Sequence, residues 1–205
     1  MVGRWCRLEP LDPERHTSSL FAAYRLDGEG YRWTYLPYGP FADESSFRAW
    51  LAQMATKDDP LFFTVLDETG DAVGVASFLR ISPETGSIEV GHIHYSPRLE
   101  RTRAATEAMY LMMRRAFDEL GYRRYEWKCD ALNEPSRRAA DRLGFTYEGT
   151  FRKHLVTKGR NRDTAWYSIV DTEWPAIRGA FESWLEPGNF DAKGVQLQRL
   201  ESFRV

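Results

Sequence analysis

At 205 residues, 42% of them apolar, the chain is long enough to bury one good core, and a single domain over residues 1–185 with a polar tail over 186–205 is the expected organisation. A formal net charge of −2 argues against a nucleic-acid binder that relies on a general basic field. Two cysteines, Cys6 and Cys129, make no disulfide framework, the N-terminal M-V-G-R-W-C-R has charges where a signal peptide needs an apolar run, and no stretch could span a membrane, so a cytoplasmic protein is expected.

Taken in order, Trp5–Glu9 alternates weakly and reads as a first strand. Asp12-Pro13 supplies an N-cap followed by proline at the first helical position, opening a helix through about Tyr24. From Leu26 to Phe41 the pattern breaks down, with Gly28, Gly30, Pro37, Gly39 and Pro40 punctuating a loop. That loop carries Tyr31, Trp33, Tyr35, Tyr38 and Phe41, which either pack it onto the core or wall a substrate cleft; the two are compatible. Asp43 caps a second helix with Phe47, Trp50, Leu51 and Met54 on one face.

Strands are expected over 61–66, 72–81 and 87–95, joined by the turns E68-T-G-D71 and P83-E-T-G86, which makes an antiparallel meander. A helix follows over about 101–120, with Ala105, Ala108, Met109, Met112, Ala116 and Phe117 as its apolar stripe. The next strand, 122–130, must run parallel to the one before the helix, giving one βαβ crossover. Strands over 145–156 and 164–170, a turn at K158-G-R-N-R-D163 and a helix from Trp174 to about Leu185 complete a mixed α+β sheet of six or seven strands. Pro187-Gly188 ends that helix, and the remaining tail is expected to be loosely held.

Chemistry concentrates between Tyr95 and Gly149. The basic loop R98-L-E-R-T-R103 places Arg101 and Arg103 at a helix start, where unpaired N–H groups and the helix dipole favour phosphate. The order A105-T-E-A108, N133-E-P-S136, L143-G-F145 and then Y147-E-G149 resembles the acetyl-CoA-binding core of the GNAT acetyltransferases, and within them the RimJ/RimL type that acetylates protein N-termini and related amines. The similarity runs from about Arg7 to Trp174. Two departures stand out: where the family's loop reads Gln/Arg-x-x-Gly-x-Gly/Ala this chain has Glu100, Arg103 and Ala105, and the Tyr of many members falls at Ala140.

The resemblance implies a GNAT fold and acetyl-CoA as cofactor, released as CoA. It implies that Arg98, Arg101, Arg103, Ala104, Ala105 and Thr106 meet the pyrophosphate, that Ile93, His94 and Tyr95 pair with the pantetheine arm through backbone groups, and that Asn133 and Ser136 sit beside the sulfur. Asn133 also reads as a helix N-cap. Ser136 is the choice for the thiolate. For the proton acceptor Glu89 is chosen; by strand alternation it shares a face with Gly91, Ile93 and Tyr95, while His92 and His94 take the other, and Glu148 is the further option. Trp33, Tyr35 and Tyr38 are the expected acceptor wall.

No His/Cys spacing suggests a metal, and no P-loop or G-x-S-x-G occurs. The expected activity is acetyl transfer to a primary amine, a protein N-terminus in the first instance, by a monomer or homodimer that needs neither nucleic acid nor membrane. Detoxification of a small amine and a non-catalytic CoA-binding module are the alternatives.

Overall fold

A computed structural model describes residues 1–204. It is a mixed α+β fold of five α-helices and seven strands, the strands forming one mixed sheet in the order β1-β2-β3-β4-β5-β7-β6. The chain clusters into two compact units. One comprises residues 1–81 and 89–108, the other 82–88 and 109–204.

In the first unit β1 (Arg7–Pro10) pairs antiparallel with β2 (Leu61–Leu66), and β2 antiparallel with β3 (Ala72–Ser82); β4 spans Ser87–Tyr95. Helix α1 (Pro13–Tyr24) starts where Asp12 accepts the N–H groups of Glu14 and Arg15, and α2 (Glu44–Ala55) where Asp43 Oδ1 accepts the Ser46 N–H at 2.7 Å. Both caps were legible as Asp followed by a helical pattern. Leu20, Tyr24, Phe47, Leu51, Phe62 and Val75 form the core on this side of the sheet, with Trp33 buried among them. Ahead of β1 the first residues fold back as a hairpin: the Met1 ammonium donates to Leu8 O at 2.8 Å, and Val2 bridges Arg7.

Helix α3 (Arg103–Arg114) ends in a π-helical turn over Arg115–Glu119. The second unit holds β5 (Arg124–Asp130), α4 (Glu134–Leu143), β6 (Thr146–Thr157), β7 (Arg160–Val170) and α5 (Trp174–Leu185). β7 pairs antiparallel with both β5 and β6. Its core is aromatic: the Tyr125 ring lies 6.0 Å from Phe117 and 5.9 Å from Phe145, and Phe117 lies 5.1 Å from Trp174.

Two expectations are corrected here. The turn between β6 and β7 is only Lys158-Gly159, with φ of 49° and 73°, so residues 160–163 belong to the strand rather than to a six-residue turn. Two positive φ values in succession are what a tight hairpin needs, and only Gly159 signalled it. The segment after Leu185 is not loose. Asn189, buried, donates to Trp184 O and accepts from the Gln198 N–H, Leu200 is fully buried, and Arg204 donates to Asp141 O at 3.1 Å. A polar composition concealed two anchors, one amide and one leucine.

Candidate active site

Strand β4 does not alternate cleanly. His92 takes φ of 49°, a left-handed conformation that a non-glycine residue adopts at a bulge, and the alternation shifts by one residue there. His92 packs against Phe62 at 5.2 Å, and His94 against Tyr24 at 4.0 Å and Trp33 at 3.8 Å, so both histidines face the α1/α2 core. Before the bulge, a Cβ on Gly91 would meet Leu79 Cδ2 at 2.9 Å and Glu89 Oε1 at 3.6 Å. Leu79 lies two residues beyond Ser77, the register partner of Phe62, and therefore shares the face of Phe62. Glu89, His92 and His94 thus occupy one face, which corrects the expectation that the carboxylate and the histidines are on opposite sides.

Glu89 is 2% exposed and takes both Nε and Nη2 of Arg80 at 2.7 Å. His92 Nδ1 lies 3.1 Å from Tyr38 Oη, and the Tyr38 ring stacks over it. Burial, with the Arg80 charge adding to it, lowers the His92 pKa to about 4; burial lowers that of His94 to about 3. Both imidazoles are therefore neutral near pH 7. The His94 carbonyl accepts the Tyr24 hydroxyl at 2.9 Å, which commits one backbone group that the pantetheine arm was expected to use.

The aromatic loop divides. Trp33 is 5% exposed and sits edge-on to Tyr24 and Phe41, a packing role. Tyr35 and Tyr38 are half-buried, and Tyr31 is exposed. A cavity of about 250 Å³ opens beside Trp33 and Tyr24, with Phe41, Phe47, Arg25 and Asp27 also in its wall.

The loop before α3 is ordered by its own charges. Arg98 bridges Asp67 and Asp71 at 2.8 and 2.9 Å, and Glu100 accepts from Arg32 at 2.6 Å. Arg103 lies 3.5 Å over the Trp5 ring and 3.2 Å from Glu68. Arg101 differs: it is exposed, at φ of 61°. Thr102 Oγ1 caps the helix by accepting the Ala105 N–H at 3.1 Å, and the small side chains of Ala104 and Ala105 leave the first turn approachable. The start of such a helix suits an anionic group, and Arg101 stands exposed two residues ahead of it.

Sequence reasoning passed over Glu107 of the A-T-E-A group. Its buried carboxylate accepts the N–H groups of Arg4, Trp5 and Cys6 at 2.8, 2.6 and 2.9 Å. A Cβ on Gly3 would lie 2.4 Å from Glu107 Cδ, so only glycine lets the hairpin close over it. The same contact, with burial the larger cause, pushes the Cys6 thiol well above its ordinary pKa.

In the second unit Asn133 is the N-cap of α4, its Oδ1 accepting the Ser136 N–H at 3.2 Å. Ser136 Oγ accepts from Trp127 Nε1 at 3.0 Å, and its hydroxyl bonds toward the Cys129 sulfur, whose pKa burial nevertheless raises. Ala140 is fully buried. Glu148 sits at a register shift beside Gly149 and is bound by Arg124 and the Ser168 hydroxyl; the Arg124 contact holds its pKa below the usual range. Among the described residues no group of His, Cys, Asp and Glu could hold a metal ion, and no helix is long and apolar enough to cross a membrane.

The family model for the acetyltransferase (GNAT) domain matches residues 6–146. The crystal structure of a GCN5-related N-acetyltransferase from Brucella melitensis is 50% identical, with a TM-score of 0.97 over 99% of this chain and 92% of that one. A GNAT-family protein from Chromobacterium violaceum is 44% identical, with a TM-score of 0.79 over 85% and 87% of the two chains. The Bacillus subtilis protein named Putative ribosomal N-acetyltransferase YdaF is 27% identical over 171 residues, 82% of this chain and 90% of its own. The chain belongs to the GNAT acetyltransferase family. It is an acetyltransferase, and acetyl-CoA is its acetyl donor.

Proposed function

We propose that the acceptor is a primary amine presented by a protein N-terminus, as in the RimJ/RimL type, and that residues 1–185 act as one cytoplasmic catalytic domain. The cavity beside Trp33 carries this reading. At about 250 Å³ it lies below the range of about 300–1,000 Å³ typical of drug-sized ligands and suits one amino-acid side chain. The ribosomal designation of YdaF points the same way.

Acetyl-CoA supplies an activated thioester carbonyl. In the proposal Arg101 and the first turn of α3, Ala104 to Thr106, take its pyrophosphate, with Arg98 and Arg103 holding the loop. Backbone groups of Ile93 and Tyr95 take the pantetheine arm; His94 contributes its N–H, since its carbonyl serves Tyr24. Tyr35 and Tyr38 flank the acceptor, and Trp33 supports them from the core. An α-amino group has a pKa near 8, so about a tenth is neutral at pH 7 and little base strength is required. Glu89 takes the proton through water. Ser136 donates its hydroxyl proton toward the leaving sulfur, held in place by Asn133 and Trp127.

Calorimetric titration with acetyl-CoA, followed by thiol release in the presence of peptide and small-amine acceptors, tests the reading. Binding with turnover on peptides is expected. Turnover confined to small amines would transfer the assignment to detoxification, and binding without turnover to a CoA-binding module.

A further inference from the structure

We propose that the cavity beside Trp33 selects an aromatic side chain on the residue that bears the acceptor amine, so that the substrates are N-termini beginning with phenylalanine or tyrosine; this deepens the acceptor reading above and rests on it. The observation is a gap in a cluster of rings. Phe21, Tyr24, Trp33, Phe41 and Phe47 all stand in the cavity wall. Three of their pairs meet nearly at right angles, Tyr24 with Trp33 at 79°, and Trp33 with Phe41 and Tyr24 with Phe47 at 80°. Such a wall offers an entrant both ring edges and ring faces, the arrangement in which aromatic groups attract one another. An apolar cavity of about 150 Å³ is enough to hold benzene. The cavity here, at about 250 Å³, admits a phenyl or phenol ring.

Loose packing does not account for the gap, since interiors rarely leave voids larger than a water molecule. On one side the loop is pressed onto Trp33: a Cβ on Gly39 would lie 2.3 Å from Trp33 Cε3, and Gly39 takes φ of 64°, which glycine adopts freely. On the other side a Cβ on Gly28 would meet no atom of the described residues within 4 Å, and Arg25, Gly28 and Pro40 are exposed, so the cavity opens to solvent there. The polar groups of the wall are committed. The Tyr24 hydroxyl donates to the His94 carbonyl at 2.9 Å, and the Asp27 carboxylate holds Arg32 through Nη1 at 3.2 Å and the backbone N–H at 3.0 Å. The other charge in the wall, Arg25, is a cation, so a cationic side chain gains no counter-charge on entering. Tyr24 and Trp33 also pack on His94, at 4.0 and 3.8 Å, which sets the cavity against the end of β4, where the pantetheine arm is proposed to lie.

The peptides Phe-Ala-Ala-Gly, Ala-Ala-Ala-Gly and Arg-Ala-Ala-Gly, with phenylalaninamide and alaninamide as small amines, test this by kcat/KM for thiol release. The wild type should prefer the Phe peptide to the Ala peptide by at least about tenfold, the scale of burying a phenyl group. The Arg peptide should do no better than the Ala peptide. Phe41→Ala removes one ring of the wall and should cut the Phe-to-Ala ratio at least about threefold. Each ratio is taken on one preparation, so a loss of folded protein cancels. A wild-type ratio near unity, an Arg peptide that matches the Phe peptide, or a ratio unmoved by Phe41→Ala overturns the role of the cavity and leaves acetyl transfer to N-termini standing. Preference for phenylalaninamide over alaninamide, with no peptide turned over, keeps the role of the cavity and overturns the protein N-terminus as acceptor. No turnover of any of these amines despite acetyl-CoA binding overturns both.

Discussion

Two buried carboxylates in the first unit, Glu107 on α3 and Glu89 on β4, solve the same problem in different ways. Glu107 is satisfied by three successive backbone N–H groups of a closed hairpin, with Gly3 pressed against it. Glu89 takes two bonds from a long side chain, that of Arg80, which is itself more than half exposed. Backbone partners cannot leave without unfolding the hairpin, whereas an arginine can move. The first arrangement is architecture, and the second can take part in chemistry.

The largest expected effect follows from that difference. Glu107→Ala removes the acceptor of three N–H groups, that of Cys6 buried and those of Arg4 and Trp5 partly buried, each loss costing about 1–3 kcal/mol where water cannot replace it. A loss of at least about 3 kcal/mol is expected, which for a chain of this size lowers Tm by roughly 6–12 °C. Thermal denaturation checks it, and a shift under 2–3 °C, about 1 kcal/mol, would remove the distinction. Glu89→Gln should act on rate instead: kcat falls by roughly 10²-fold, the range for general-base loss, while the dissociation constant of acetyl-CoA is unchanged. Full turnover across pH 6–9 would make Glu89 structural too and move the test to Glu148.

How much of this was legible follows from the range of each interaction. The caps at Asp12, Asp43 and Asn133 are local and were read directly from residue type and spacing. Strand and helix order followed from periodicity and turn residues. The bulge at His92 was not legible, because neither Gly91 nor its neighbours signal which residue takes the positive φ, and one such residue reverses every face assignment after it. Glu107 was missed for another reason: its partners are about a hundred positions away. The Arg80–Glu89 pair is closer in sequence, yet only the strand pairing shows that they meet.

A third test sharpens the comparison within the loop before α3. Arg103 is held by Trp5 and Glu68, on the hairpin side, whereas Arg101 is exposed. Replacing both with Ala should raise the acetyl-CoA dissociation constant at least about tenfold, since charge-assisted bonds to phosphate contribute about 1.5–3 kcal/mol before exposure weakens them. Of the single variants, Arg101→Ala should account for most of the loss. The reverse ranking in calorimetry would mean that Arg103 leaves Trp5 when cofactor binds.

The smallest effect is expected at Ser136. The residue is doubly engaged as a structural element, its hydroxyl oxygen accepting from Trp127 Nε1 at 3.0 Å and its backbone N–H donating to Asn133 Oδ1 at 3.2 Å. Ser136→Ala therefore removes a proton donor for the thiolate and also leaves the Trp127 indole N–H, in a side chain 6% exposed overall, without its acceptor. The second consequence costs about 1–3 kcal/mol and would appear in Tm. The first should be small, because a CoA thiolate is a good leaving group and can be protonated by solvent; a fall in kcat of about three- to tenfold corresponds to about 0.7–1.4 kcal/mol of barrier. Trp127→Phe separates the two, since it removes the N–H that needs Ser136 and keeps the hydroxyl. If Trp127→Phe lowers kcat as much as Ser136→Ala does, the serine works through packing of α4 on β5, and no proton need pass from it to the sulfur.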